Sequence, residues 1–115
     1  MKYFYEEKSD RYCYNVGAEF KDDKLMISDW ALGDIIKETH HDSDIEHYVI
    51  IKRKYALSFV KDCAAHAKYT LPKGKLSDDQ MIDALCDIYK DDKKAIFIVK
   101  DVLNKNEIPY DFQVW

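Results

Sequence analysis

The sequence contains little glycine, proline or cysteine: three, two and three residues respectively among 115. Three isolated glycines cannot form the glycine-rich loops that hold nucleotide phosphates. The cysteines, Cys13, Cys63 and Cys86, are odd in number and widely spaced, which matches no disulfide framework or zinc signature. No stretch reaches the roughly 18 consecutive uncharged apolar residues of a membrane span. We therefore predict no nucleotide loop, no structural zinc and no membrane partner.

Length and composition are typical of one globular domain spanning residues 1–115. Domains commonly contain about 100–150 residues. Hydrophobic residues make up 47% of the chain and aromatic residues 14%, which argues against disorder. A charged residue, Glu6, already occurs at the sixth position, and the first residues lack the apolar core of a signal peptide. We therefore expect a cytoplasmic protein with reduced thiols.

Period-two alternation of apolar and polar residues predicts strands at both ends of the chain. The pattern is strict over residues 12–20, and shorter strands are predicted at 3–5 and 25–27. Over residues 45–51 both faces are partly apolar, which predicts a strand inside the sheet. A last strand is predicted over 110–115.

Helical spacing predicts helices in the second half of the chain. Residues 54–69 place one apolar set on a common face: Ala56, Phe59, Val60, Cys63 and Ala67. Ser77, followed three residues later by Gln80, is a capping box that begins the next helix. Segment 93–105 fits either a buried strand or a helix, of which we favour the helix.

A further helix is expected to begin near residue 30. Ser28 or Asp29 can cap it, and Trp30, Leu32 and Ile35 follow at helical intervals. The order of elements is then three strands, a helix, a strand, two or three helices and a strand. This order predicts an α+β fold, a mostly antiparallel sheet of about five strands with three or four helices packed on it.

The segment 29–47 gathers six acidic residues and three of the four histidines. Carboxylates and imidazoles bind divalent cations, so a ligand- or metal-responsive module is an alternative function. Its ligands would be His40, His41, Asp42, Asp44 and His47. Their spacing matches no metal-binding template, and a strand over 45–51 would turn His47 to the buried face. We therefore expect no metal and no cofactor.

Cys63 and His66 are spaced for a thiolate–imidazole pair on one helix. Nucleophilic catalysis also requires an orienting group and oxyanion donors, ordinarily at a helix N-terminus or a tight turn. In mid-helix, Cys63 is expected to be a core residue and His66 a surface residue. We predict no catalytic residue and no enzyme.

Charge alternates in blocks along the chain. Residues 29–47 carry a net charge of −5, residues 48–75 carry +6 and residues 76–92 carry −5. A nucleic-acid binder should be basic overall, whereas this chain has a net charge of −4. We therefore predict no nucleic-acid partner. Solvated helix faces of alternating sign are the simplest alternative interpretation.

Acidic surface next to an exposed aromatic side chain has one specific use, which is docking onto a basic protein. Trp30, Tyr48 and Trp115 are possible aromatic anchors, with core packing as the alternative for Trp30. The candidate partner-binding residues fall in the two acidic segments: Trp30, Asp34, Glu38, Asp42, Asp44, Glu46, Asp78, Asp79 and Asp83.

Three stretches carry a resemblance to a known class of proteins. They are the opening M-K-Y-F-Y-E, the stretch L-G-D-I-I-K-E-…-D-S-D-I-E-H-Y at 32–48, and N-K-N-E-I-P-Y-D-F-Q-V-W at 104–115. Together they resemble small bacterial immunity proteins of contact-dependent inhibition and other polymorphic toxin systems. Because those proteins are diverse in fold, no functional residue carries over.

The resemblance implies a small acidic protein that binds the catalytic domain of a cognate toxin and blocks it. A nuclease toxin would suit an acidic inhibitor, because its active site is electropositive. A phage anti-defence inhibitor would be a small acidic blocker of the same kind, and the sequence does not separate the two. Oligomeric state is left open.

Overall fold

The protein forms a five-stranded antiparallel sheet in which the strands follow one another in sequence order. A computed structural model describes residues 1–10, 12–33 and 44–114. The strands are β1 (Lys2–Lys8), β2 (Tyr12–Lys21), β3 (Lys24–Gly33), β4 (Asp44–Lys52) and β5 (Asp111–Val114). Each strand pairs antiparallel with the next, so β4 lies inside the sheet as predicted.

Three helices lie in the described part of the chain: α1 (Arg53–Ala67), α2 (Asp78–Ile88) and α3 (Ala95–Lys105). The α+β class is confirmed, and so is the helical interpretation of segment 93–105. The predicted capping box also forms, because the Ser77 hydroxyl accepts from the Gln80 N–H at 3.1 Å and the Gln80 side chain accepts in return at 2.8 Å. Among the described residues, no helix has the length and apolar character needed to span a bilayer.

The core lies between the helices and one face of the sheet. Alternate residues of the central strands face it and are fully buried: Val16, Ala18, Leu25, Ile27, Val49 and Ile51. Phe59 of α1, Leu85 of α2 and Leu103 of α3 pack in the same cluster. Burial of each large apolar side chain contributes about 2 kcal/mol. Ala67, predicted to face inward, is exposed instead, because α1 ends there and Lys68 turns left-handed at φ 56°.

The expected helix start at residues 28–30 is wrong, because these residues lie within β3. β2 pairs with β3 over ten residues, from Tyr12–Gly33 to Lys21–Lys24, and β4 pairs along the other side. Backbone groups of β3 are therefore paired on both sides, and no helix cap is needed. The positions 34–36, where the predicted helix would continue, lie outside the described residues.

The predicted final strand is present as β5, a short strand at the edge of the sheet. Phe112 is 42% exposed and Val114 is 60% exposed. The strand pairs with β4 along one side only, over four residues. Trp115 lies outside the described residues.

Candidate functional site

Within the described part of the chain, no helix covers the second face of the sheet. The side chains there alternate in sequence with the buried core residues of β2, β3 and β4. We call this surface the open face and define it by Tyr3, Glu6, Asn15, Glu19, Met26, Trp30, Glu46 and Tyr48. Its strands hold these side chains on a fixed backbone, which lowers the entropy lost on binding.

A shallow cleft of about 340 Å³ lies at the centre of the open face. Tyr3, Trp30 and Tyr48 contribute aromatic surface to it, and Glu19 and Glu46 contribute carboxylates. The Tyr48 hydroxyl donates a hydrogen bond to the Glu46 carboxylate at 2.5 Å. This bond, with partial burial, raises the pKa of Tyr48 to about 12. Tyr48 therefore stays protonated at neutral pH and fixes the carboxylate beside the cleft.

Charge on the open face is divided between its middle and one end. Glu19 and Glu46 border the central cleft, and Lys21 also lines it. Lys21, Lys24 and Lys52 lie opposite one another on three neighbouring strands and form a row at the end of the sheet. A complementary partner would therefore be basic opposite the cleft and acidic opposite the lysine row.

The second predicted acidic patch, at the start of α2, is partly neutralised within the chain. Arg53 donates to both carboxylate oxygens of Asp78, at 2.7 and 3.0 Å. This fork holds the pKa of Asp78 below its ordinary value. Asp83 forms an ion pair with Lys2. Two of the three predicted carboxylates in this patch are therefore occupied by intramolecular partners.

The two acidic patches adjoin each other at one edge of the sheet. Met1 and Glu19 line the cleft on the open face and also a neighbouring cleft that contains Asp78 and Asp79. Met1 and Glu19 thus lie between the cleft that Trp30 and Glu46 line and the cleft at the start of α2. Asp34, Glu38 and Asp42 lie outside the described residues, as does the side chain of Asp44.

On the opposite, helix-covered face lies a hydrogen-bonded cluster that the sequence analysis missed. Asp29, only 6% exposed, accepts from the Tyr14 hydroxyl at 2.9 Å. Its other carboxylate oxygen lies 2.7 Å from Nδ1 of His47 and 3.2 Å from the His47 backbone nitrogen. Burial, together with the nearby Asp29 carboxylate, raises the pKa of Tyr14 far above its ordinary value, so the hydroxyl remains a donor.

Sheet register assembles this cluster. Asp29 and His47 lie directly opposite each other on β3 and β4, and Tyr14 lies on β2 opposite Ala31. A shift of one residue would move these side chains to the other face. The available signal was the alternation of Leu25, Ile27, Asp29 and Ala31, which places a carboxylate on an otherwise apolar face.

His47 is held in a defined orientation by the cluster. Nδ1 faces Asp29, and the ring stacks on Phe112 with centroids 5.9 Å apart and planes 11° apart. The expectation that His47 shares the buried face is confirmed. Within the described residues, no group of three or more His, Cys, Asp or Glu side chains could hold a metal ion. His40, His41 and Asp42 of the alternative metal site lie outside those residues.

No family model, curated protein or solved structure matches this chain. Function is therefore inferred from the open face and from the cluster around Asp29.

Cys63 is expected to be unreactive in the native protein. It is fully buried in α1, while His66 is exposed. Burial raises the pKa of the Cys63 thiol to about 12, so almost no thiolate exists at neutral pH. With a disulfide reagent at neutral pH, we expect Cys13 and Cys86, both half-buried, to be labelled and Cys63 to be labelled only after denaturation. Peptide mapping of the labelled protein measures this, and native labelling of Cys63 at the rate of the other two would contradict it.

Proposed function

We propose that the protein is a non-catalytic inhibitor that binds a partner protein through the open face, in the manner of an immunity protein. The observation that carries this proposal is that Trp30 and Tyr48 both line a central cleft that no described element covers. Aromatic side chains at the centre of an exposed surface are typical energetic anchors of protein interfaces.

The two carboxylates at the central cleft favour a partner with basic groups there, and the lysine row favours acidic groups at the end of the sheet. Glu19 and Glu46 flank the aromatic side chains, and Asp79 lies in the adjoining cleft. A nuclease domain presents a basic surface to its substrate phosphates, so an acidic inhibitor would compete with nucleic acid for that surface. A cognate toxin with such a domain is the partner we propose. A phage anti-defence inhibitor would use the same surface against a different basic protein.

The available area is adequate for a specific complex. The four strands β1 to β4 are spaced about 4.8 Å apart, and the longest, β2 and β3, are about 33 Å long. Together they form a face of roughly 600 Å². A standard interface buries about 800 Å² on each partner. The edge at Met1 and the start of α2 supply the remainder.

Binding should depend on Trp30. Co-expression with the product of the neighbouring gene, followed by pull-down and calorimetry, tests for the partner. We expect Trp30→Ala to raise the dissociation constant roughly 30-fold, equivalent to a loss of about 2 kcal/mol of binding free energy. Glu46→Lys should slow association, most strongly at low salt. Leu57→Ala is the matched control, since Leu57 is an exposed apolar residue of α1 away from this face.

Circular dichroism must first show that each variant is folded. Unchanged affinity in both Trp30→Ala and Tyr48→Ala would place the interface elsewhere. Failure of the neighbouring gene product to bind would remove the immunity proposal. Self-association that these substitutions abolish would instead make a second copy of the chain the occupant of the open face.

A further inference from the structure

A cavity of about 330 Å³ lies beside the Asp29 cluster, on the side of the sheet away from the open face. It opens between the end of the sheet and the beginning of α3. Ligand sites in proteins commonly measure about 300–1,000 Å³. This cavity is at the small end of that range, which suits a ligand with one ring or a short chain.

The walls of the cavity are apolar. Ala31 of β3, Ile45 of β4 and Phe97 of α3 form them. Phe97 is 61% exposed, whereas its neighbours Ala95, Ile96 and Val99 are buried in the core. An exposed phenylalanine beside a cavity leaves apolar surface that a ligand would remove from water.

One wall of the cavity is formed by the hydrogen-bonded cluster. Tyr14, Asp29 and His47 all line it, and the carboxylate of Asp29 accepts from Tyr14 while facing Nδ1 of His47. The Nδ1 atom of His47 contacts Asp29. The second ring nitrogen, Nε2, forms no hydrogen bond with any described residue. A histidine held in this way by a carboxylate offers Nε2 at a fixed position to a bound molecule.

Two lysines lie at the opening. Lys93 and Lys94 line the cavity just before α3, which begins at Ala95 with no acidic residue in its first turn and no side-chain cap. The helix dipole adds positive potential at this end, where the Asp92 carboxylate already accepts from the Lys94 backbone N–H at 2.9 Å. Lys93 also pairs with Glu7 at 3.2 Å, so Lys94 is the cation better placed to meet a ligand.

We infer that this cavity binds a small organic acid, with its apolar body against Phe97 and Ile45, its carboxylate toward Lys94 and the His47 ring at the wall of the site. An anion is favoured over a cation because, among the described residues that line the opening, the exposed charged groups are lysines, while the Asp29 carboxylate is buried and already hydrogen-bonded. Because the cavity and the open face lie on opposite faces of the sheet, the two sites can be tested independently.

The test is a titration of the isotopically labelled protein followed by NMR, with phenylacetate as the probe. We expect saturable shifts of the amides of Ala31, Ile45, His47 and Phe97 and of the His47 ring resonances. The neutral analogue 2-phenylethanol should bind roughly tenfold more weakly, because it lacks the charged acceptor. The cationic analogue phenethylamine should bind more weakly still.

Substitutions then locate the site. Phe97→Ala and Lys94→Gln should each weaken phenylacetate binding severalfold, while Leu57→Ala and Lys105→Gln, in other parts of α1 and α3, should leave it unchanged. Phe97 and Lys94 are both exposed, so these variants are expected to fold normally. The inference is overturned if phenylacetate causes no saturable shift, if the shifts map elsewhere, if Phe97→Ala leaves them unchanged, or if phenethylamine binds more tightly.

Discussion

Alanine at position 17 is expected to detach β1 from the sheet. A Cβ on Gly17 would collide with the carbonyl oxygen of Lys2 and lie 3.1 Å from Cα of Tyr3. Both neighbours are backbone atoms, which cannot move away as a flexible side chain can. The close approach accompanies a bulge in β1, where the register shifts between Tyr3 and Tyr5. Glycine is therefore required here for close backbone packing.

The cost of Gly17→Ala should be about 3 kcal/mol, at the upper end of overpacking effects. Displacing β1 would also expose Phe4, which is buried against Tyr89 with ring centroids 5.7 Å apart. Chemical denaturation measures the loss, and hydrogen exchange should show amides of β1 losing protection first. Tyr3 would leave the open face, so partner binding should fall as well.

Asn15→Ala provides the control for Gly17→Ala. Asn15 lies two residues earlier on the same face of β2, with its side chain half-buried. Its substitution should change the free energy of unfolding by about 0.5 kcal/mol or less. If Gly17→Ala costs equally little stability and β1 keeps its exchange protection, then a glycine is not required at position 17 for packing against β1.

Asp29→Ala is expected to destabilise the protein by about 3 kcal/mol. Removing the carboxylate leaves the buried Tyr14 hydroxyl without its acceptor and releases His47, and each unsatisfied buried polar group costs about 1–3 kcal/mol. The released imidazole would also lose its fixed orientation. Phenylacetate should then no longer shift the His47 ring, even where the fold survives.

A double-mutant cycle separates these contributions. Tyr14→Phe removes only the hydroxyl and should cost about 1 kcal/mol, because the carboxylate keeps its contacts with His47. In the Asp29→Ala background, Tyr14→Phe should be neutral or stabilising, since it removes the unsatisfied group. Additive losses in the cycle would show that the Tyr14–Asp29 hydrogen bond contributes nothing. Folded Asp29→Ala should still bind the partner, because Trp30 lies on the other face.

The sequence determined most of the architecture because local patterns and the sheet agree. Strict alternation predicted β2, and apolar residues on both faces predicted the interior position of β4. The capping box at Ser77 fixed the start of α2, since it depends on side chains three residues apart. The exposed His66 and buried Cys63 also followed from helical spacing.

Only the tertiary structure decided the course of β3 and the sites on either side of it. Trp30 and Leu32 fit a helix and a strand equally well, and pairing with β2 on one side and β4 on the other selected the strand. That choice sent Trp30 to the open face and Asp29 to the buried one. The cluster of Tyr14, Asp29 and His47 joins residues 15 and 18 positions apart, which only sheet register brings together. Ion pairs such as Arg53–Asp78 likewise join distant residues. The sequence therefore does not show which carboxylates of the acidic patch are already paired within the chain.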